Sequence, residues 1–138
     1  VVVVVLVVSG VRARGQERCE KTCPKGYTLA PKKGYKPHFN GCGVAGMQLS
    51  TQFDFTECCN QHDLCYAECG LSKPKCDREF KTCMTVTCQK VYPTEEKFGD
   101  CMRQVNMFNS MVSTFGCGPY KQSLDEACEC VKKQKKEL

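Results

Sequence analysis

His62 and Asp63 are adjacent residues with side chains suited to catalysis and metal binding, and they lie within the run Cys58-Cys-Asn-Gln-His-Asp-Leu-Cys-Tyr66. An imidazole ordinarily has a pKa of about 6.5 and is a natural general base near neutral pH. A carboxylate and the backbone carbonyls of a glycine-rich loop such as Gly41-Cys-Gly-Val-Ala-Gly46 are hard oxygen ligands, which calcium prefers. The residue types therefore indicate an imidazole base beside a calcium site, or a structural histidine beside a solvated aspartate.

The spacing of the cysteines predicts the elements that position His62. The pairs Cys58–Cys83 and Cys65–Cys76 share one midpoint in the chain. Two antiparallel helices joined by a short turn bring such residues together, and the seven-residue spacing keeps both cysteines of a helix on one face. We therefore expect a helical hairpin linked by these two disulfides, with His62 facing the second helix.

The neighbouring stripe of the first helix contains Cys59, Asp63 and Tyr66. If Cys59 forms a disulfide with Cys42, the glycine-rich loop is held one helical turn from the Asp63 carboxylate. The hairpin geometry alone selects Glu79 as the residue directly opposite His62.

The remaining chain reads as mainly α, with little strand signal. Residues 19–47 are predicted to be loop. A helix is predicted over 56–70 with Thr56 as its N-cap, followed by a connector over 71–75. The second helix is predicted over 76–90 and ends before Pro93. A third helix over 95–115 carries an apolar stripe expected to pack in the core or partly to line a lipid-acceptor groove, and Gly116-Cys-Gly-Pro119 is expected to end the helix.

The composition indicates an extracellular, disulfide-rich protein. Fourteen cysteines in 138 residues is the density of a disulfide scaffold. The apolar start of the chain reads as the remnant of a signal peptide, residues 1–15, before one domain over 16–138. The cysteine spacings do not form the facing knuckles of a zinc ribbon. The terminal Lys135-Lys-Glu-Leu138 departs from an ER-retention signal at its second position, so we expect secretion.

The run from Cys58 to Tyr66 resembles the active-site helix of the secreted phospholipases A2, C-C-x-x-H-D-x-C-Y, at every fixed position. Cys76–Cys83 is similar to the second helix of that family, and Cys42-Gly43 falls where its calcium loop should be. Further features are most similar to group XII: the short connector, the segments Gly34–Pro37 and Asn40–Gly43, and a Cys-x-Cys before the Lys/Glu tail.

The resemblance implies a role for each matching residue. His62 is the general base and Asp77, in preference to Glu79, is its carboxylate partner, with Tyr66 hydrogen-bonded to the same carboxylate. The calcium ligands implied are the Asp63 carboxylate and three backbone carbonyls. The Gly43 amide is implied to donate a hydrogen bond to the oxyanion. The three carbonyls belong to Gly41, Gly43 and Ala45. Ala45 departs from the family loop, which has glycine there.

The activity implied is calcium-dependent hydrolysis of the sn-2 acyl ester of glycerophospholipids. One branch of group XII lacks the histidine, and the presence of His62 here favours an active enzyme. The alternative is a weakly active or inactive phospholipase-like protein that acts by binding a lipid or a receptor. The partner expected is a phospholipid membrane surface or micelle, with no nucleic acid, and the protein is expected to be a monomer.

Overall fold

The computed structural model describes residues 19–44, 47–48, 53–91 and 94–135, with backbone only at 44, 47 and 48. The described helices are α1 (Thr56–Tyr66), α2 (Lys73–Val91), α3 (Glu95–Phe115) and α4 (Cys117–Ala127). The described strands are β1 (Tyr27–Pro31), β2 (Gly43–Val44), β3 (Met47–Gln48) and β4 (Cys128–Lys132). The expectation of a mainly α fold with little strand is confirmed. The proposed signal peptide, residues 1–15, lies outside the described residues and stays a prediction.

Helices α1 and α2 form the disulfide-linked hairpin expected from the cysteine spacing. The bridges Cys58–Cys83 and Cys65–Cys76 are both present, with Cα–Cα distances of 5.6 and 5.7 Å. The first helix is shorter than predicted, since it ends at Tyr66 rather than at residue 70. The prediction of Thr56 as N-cap is wrong. Thr56 is the first helical residue, and its amide is instead bound by the side chain of Asp54.

The second helix begins three residues earlier than predicted, at Lys73. Pro74 lies in its first turn, where the missing N–H of a proline has no intrahelical partner to lose. The hydroxyl of Ser72 accepts a hydrogen bond from the amide of Lys75 and so satisfies one free donor of this turn. The predicted connector therefore contains the start of a helix, and this places Lys73 four residues before Asp77 on one helical face.

Helix α3 has the predicted bounds and packs its apolar stripe against the hairpin. Cys101, Val105 and Phe108 are buried in one core with Phe55 and Phe80. The ring of Phe108 makes edge contacts with the rings of both other phenylalanines. The end of the stripe lies outside this core, because Phe115 is 66% exposed and lines a cleft.

A fourth helix, absent from the prediction, follows α3 directly. Gly116 ends α3, and α4 begins at the next residue, with Pro119 in its first turn. Strand β4 then pairs antiparallel with β1, with Tyr27 opposite Lys132 and Pro31 opposite Cys128. The predicted loop over 19–47 therefore contains a strand whose partner lies about a hundred residues away along the chain, a distance that local patterns cannot report.

All fourteen cysteines lie in the described part of the chain and form seven disulfide bridges. Three join the pairs named from the sequence, and the others join pairs that the sequence left open. Those four bridges are Cys19–Cys117, Cys23–Cys130, Cys69–Cys128 and Cys88–Cys101. The first two join the N-terminal segment to α4 and β4, the third joins the residues after α1 to β4, and the fourth joins α2 to α3. Of the helices described, none combines the length and apolar character needed to cross a membrane.

Candidate active site

His62 and Asp77 form a buried hydrogen-bonded pair between α1 and α2. The Nε2 atom of His62 lies 2.8 Å from Oδ1 of Asp77. The imidazole stacks on the ring of Phe80, with centroids 4.4 Å apart, and contacts the ring of Tyr66 at 4.2 Å. These two aromatic contacts and the hydrogen bond restrict rotation of the imidazole. His62 is 7% exposed, and its small exposed surface lines two adjoining cavities.

Three donors surround the Asp77 carboxylate. Oδ1 accepts hydrogen bonds from His62 and, at 2.6 Å, from the Tyr66 hydroxyl, while Oδ2 accepts one at 2.6 Å from Lys73. Burial alone raises the pKa of Asp77, but the hydrogen bonds from His62, Lys73 and Tyr66 outweigh it and leave the pKa below its ordinary value. Asp77 is therefore ionised at neutral pH. The pKa of Tyr66 is raised by burial and by its bond to this carboxylate, so its hydroxyl keeps its proton.

The structure places Asp77, and not Glu79, beside His62. Glu79 is exposed and forms an ion pair with Lys75 on the outer face of α2. Glu79 would lie opposite His62 only if the two antiparallel helices were straight and their residues faced each other in strict register. Real helix pairs cross at an angle and are rotated about their axes. Consequently a residue one position from the disulfide, Asp77, points into the seam.

The glycine-rich loop is fastened to α1 next to Asp63. The bridge Cys42–Cys59 has a Cα–Cα distance of 5.1 Å. The amide of Asn40 donates to Oδ2 of Asp63 at 3.2 Å, and the amide of Gly41 donates to the side chain of Asn60 at 2.9 Å. Gly41 has a φ of +73°, which a residue with a Cβ adopts at a cost. The loop therefore reaches the helix through a conformation suited to glycine.

Asp63 and the glycine-rich loop are the candidate ligands for a calcium ion. A cavity of about 40 Å³ is lined by residues that include Gly41, Gly43, His62 and Asp63. Within the described ranges, no three His, Cys, Asp or Glu side chains come together, so backbone carbonyls would have to supply most ligands. Burial raises the pKa of Asp63 despite the hydrogen bond from Asn40, so its charge lacks full compensation and favours a cation. Ala45 lies outside the described residues.

A cleft of about 670 Å³ opens from His62 and Asp63 to the surface. Met111, Val112 and Phe115 from α3 form one wall, and α4 contributes a polar wall with Gln122, Ser123 and Glu126. Phe39 and Phe115 stand at its mouth with 56% and 66% of their surfaces exposed. His38 is exposed and lines the same cleft, with Nε2 4.0 Å from Oε2 of Glu126.

Lys73 is a site residue that the sequence argument missed. Its side chain is 9% exposed, and its ammonium bonds Asp77 and the carbonyl of Val112. The signal that could have found it is the four-residue spacing from Asp77, which places a lysine and an aspartate on one helical face. The spacing was not informative because residues 71–75 were predicted to be a connector, which has no helical face.

The chain matches the family model described as "Group XII secretory phospholipase A2 precursor" over residues 5–138. It is 38% identical over 127 residues to the group XIIA secretory phospholipases A2 of Mus musculus and of Homo sapiens. These matches cover 87% of this chain and 66% and 67% of the relatives. It is also 32% identical over 132 residues to the "Group XIIB secretory phospholipase A2-like protein" of Mus musculus, with coverage of 87% and 68%. The chain belongs to the group XII secretory phospholipase A2 family.

The chain thus spans about two thirds of the length of these relatives. No solved structure matches the chain.

Proposed function

We propose that this protein is a calcium-dependent phospholipase A2 that hydrolyses the sn-2 acyl ester of glycerophospholipids and releases a fatty acid and a lysophospholipid. The observation that carries the proposal is the 2.8 Å pair of His62 and Asp77 at the base of a cleft that also contains Asp63. The match to group XIIA secretory phospholipases A2 supports the same reaction class.

The Asp77 carboxylate fixes the tautomer of His62. An ionised carboxylate only accepts hydrogen bonds, so Nε2 of His62 must be the protonated nitrogen. The other ring nitrogen, Nδ1, is then free of a proton and can accept one from water. As that proton is transferred, His62 becomes positively charged, and the negative charge of Asp77 stabilises it without taking the proton itself. Tyr66 and Lys73 keep the carboxylate ionised and in place.

His62 thus acts as a general base toward a water molecule in the cleft. As Nδ1 takes a proton from the water, the water oxygen attacks the carbonyl carbon of the sn-2 ester, and the carbonyl oxygen gains negative charge. The amide of Gly43 is suited to donate to that oxygen, since Gly43 lines both cavities together with His62. Collapse of the tetrahedral intermediate then breaks the bond to the glycerol oxygen, and the imidazolium returns the proton to the departing alkoxide.

A calcium ion would be held by the Asp63 carboxylate and by backbone carbonyls of the loop, for which Gly41, Gly43 and Ala45 are the candidates. Bound there, calcium supplies positive charge for the substrate phosphate and for the ester oxygen. The small cavity lined by Asp63, Gly41 and Gly43 supports this assignment.

The substrate surface is proposed to be a phospholipid membrane or micelle. Phe39 and Phe115 project beside the cleft mouth, where large apolar rings can enter the boundary between headgroups and acyl chains. Seven disulfides and relatives that are named secretory support secretion of this protein.

The test is release of fatty acid from mixed phospholipid vesicles, with calcium and with a chelator. We expect the wild-type protein to release fatty acid only with calcium. We expect His62→Gln to reduce turnover by at least about 100-fold, since a general base contributes roughly that factor or more. Near-ultraviolet circular dichroism checks that the variant is folded. Retained turnover in folded His62→Gln would exclude the general-base role, and vesicle binding without hydrolysis by the wild type would favour a binding protein.

A further inference from the structure

The ammonium of Lys73 is almost completely removed from solvent and joins two parts of the site. Lys73 is the first residue of α2 and is 8% exposed. Its Nζ donates to Oδ2 of Asp77 at 2.6 Å and to the backbone carbonyl of Val112 at 2.8 Å. A buried ammonium is costly unless it is paired and hydrogen-bonded. Two acceptors at these distances account for its burial, and one of them is the partner of His62.

We propose that Lys73 is a positioning residue for ester hydrolysis, which holds the Asp77 carboxylate against His62 and fastens it to the cleft wall at Val112. The inference rests on the proposed function. It concerns how the catalytic pair is kept in its working geometry, and Lys73 itself touches no reacting atom.

The two carboxylate oxygens of Asp77 have different hydrogen-bond partners. Oδ1 accepts from His62 and Tyr66, and Oδ2 accepts from Lys73. Without Lys73, Oδ2 would be a buried acceptor with its strongest partner gone, and the carboxylate could rotate or take up a proton. Either change would weaken the bond that selects the tautomer of His62. Lys73 therefore acts on catalysis through Asp77.

The second bond of Lys73 connects this network to α3. The carbonyl of Val112 lies in the last turn of α3, where a lysine is favourable, and it also accepts a hydrogen bond from the Gly116 amide. Val112 also lines the cleft beside His62. The packing around this bond is tight, since a Cβ on Gly116 would lie 2.9 Å from Cε of Lys73 and 2.9 Å from the Tyr66 hydroxyl. The ammonium is thus held in one place by backbone as well as by charge.

The experiment compares Lys73→Met with Lys75→Met in the full-length protein with calcium, on phospholipid vesicles. Both lysines lie near the start of α2 and pair with an acid four residues on, but Lys75 is exposed and its partner Glu79 is remote from the cleft. We expect Lys73→Met to lower kcat by about tenfold or more, with KM within about twofold of wild type. Lys75→Met should keep both constants. Unchanged kcat in folded Lys73→Met would overturn the inference.

A double variant separates positioning from general damage to the fold. If Lys73 acts through Asp77, adding Lys73→Met to Asp77→Asn should cost less than about twofold in kcat beyond Asp77→Asn alone. If the kcat losses of the two single variants instead multiply in the double variant, the inference is overturned. If Lys73→Met does not fold, Lys73→Gln replaces it, since its shorter, neutral side chain removes the charge beside Oδ2 of Asp77, and the same fall in kcat and the same comparisons are expected. An inactive wild type would overturn the proposed function, whereas a fully active Lys73 variant overturns this inference alone.

Discussion

At the scale of single residues, the site depends on which carboxylate is buried and which is exposed. Asp77 is buried with three donors around it, so its charge is available to orient His62. Glu79, two residues later, points to solvent and its ion pair with Lys75 is an exposed one, which contributes little to stability. The two acids of α2 are therefore expected to differ sharply in their effect on turnover.

Replacing Asp77 with Asn should reduce kcat by about 10- to 100-fold, because an amide can present its NH₂ to His62 and no longer fixes the productive tautomer. Glu79→Gln should stay within about twofold of wild type. Steady-state release of fatty acid from vesicles measures both. A larger loss in Glu79→Gln than in Asp77→Asn would show that the wrong acid has been assigned.

At the scale of elements, the junction of α3 and α4 shapes the cleft. Gly116 is the residue between the two helices, and its amide bonds the carbonyl of Val112. A Cβ at this position would overlap that carbonyl and crowd Lys73 and Tyr66. Only glycine therefore allows the helices to meet so close to the catalytic pair. A second glycine, Gly118 in the first turn of α4, faces open space.

These two glycines should respond oppositely to the same substitution. Gly116→Ala should lower the free energy of unfolding by about 1–3 kcal/mol through overpacking, and turnover should fall with it. Gly118→Ala adds a Cβ with no neighbour within 4 Å in a helix, so it should be neutral or stabilise by about 0.5–1 kcal/mol. Urea unfolding of the disulfide-intact variants measures both changes. Equal stability of the two variants would contradict the tight junction.

At the scale of the whole molecule, covalent bridges between distant segments supplement a modest core. The bridges Cys19–Cys117 and Cys23–Cys130 span 98 and 107 residues and fasten β1 and its flanking segments to α4 and β4. Closing such long loops restricts the unfolded chain strongly. Within this cross-linked frame, the half-buried charge of Asp63 is a cost that a bound cation would reduce.

The stability of the protein should therefore depend on calcium through Asp63. Burial raises the pKa of Asp63, so the folded state holds the carboxyl proton of Asp63 more tightly than the unfolded state does. This contribution makes the free energy of unfolding fall as pH rises from 3.8 through the raised pKa, and the loss persists at neutral pH. If the proposed calcium site is right, calcium binds the ionised carboxylate of the folded state, and adding it should raise Tm at pH 7.

Asp63→Asn is the matched variant, since its amide oxygen can still accept from the Asn40 amide. With a chelator at pH 7, this variant should melt no lower than wild type, and calcium should leave its Tm unchanged. Differential scanning calorimetry measures all four conditions. A wild-type Tm that does not respond to calcium would argue against a site at Asp63.

The sequence by itself determined the parts of the protein that depend on local spacing. Cysteines seven residues apart fix the hairpin of α1 and α2, because a helix repeats its faces over that distance. The apolar stripe of α3 likewise gave its bounds, residues 95–115. The nine-residue motif around His62 resembles the active-site helix of the secreted phospholipases A2, and it marked α1 as the helix of the candidate site.

The contacts between these elements could be seen only in the tertiary structure. Asp77 rather than Glu79 lies at His62, and two residues that are two positions apart on a helix point in directions about 200° apart. The pairing of β1 with β4, the course of α4 and the partner of Lys73 join residues distant in the chain. Such contacts arise from packing of complete elements, which short-range patterns do not encode.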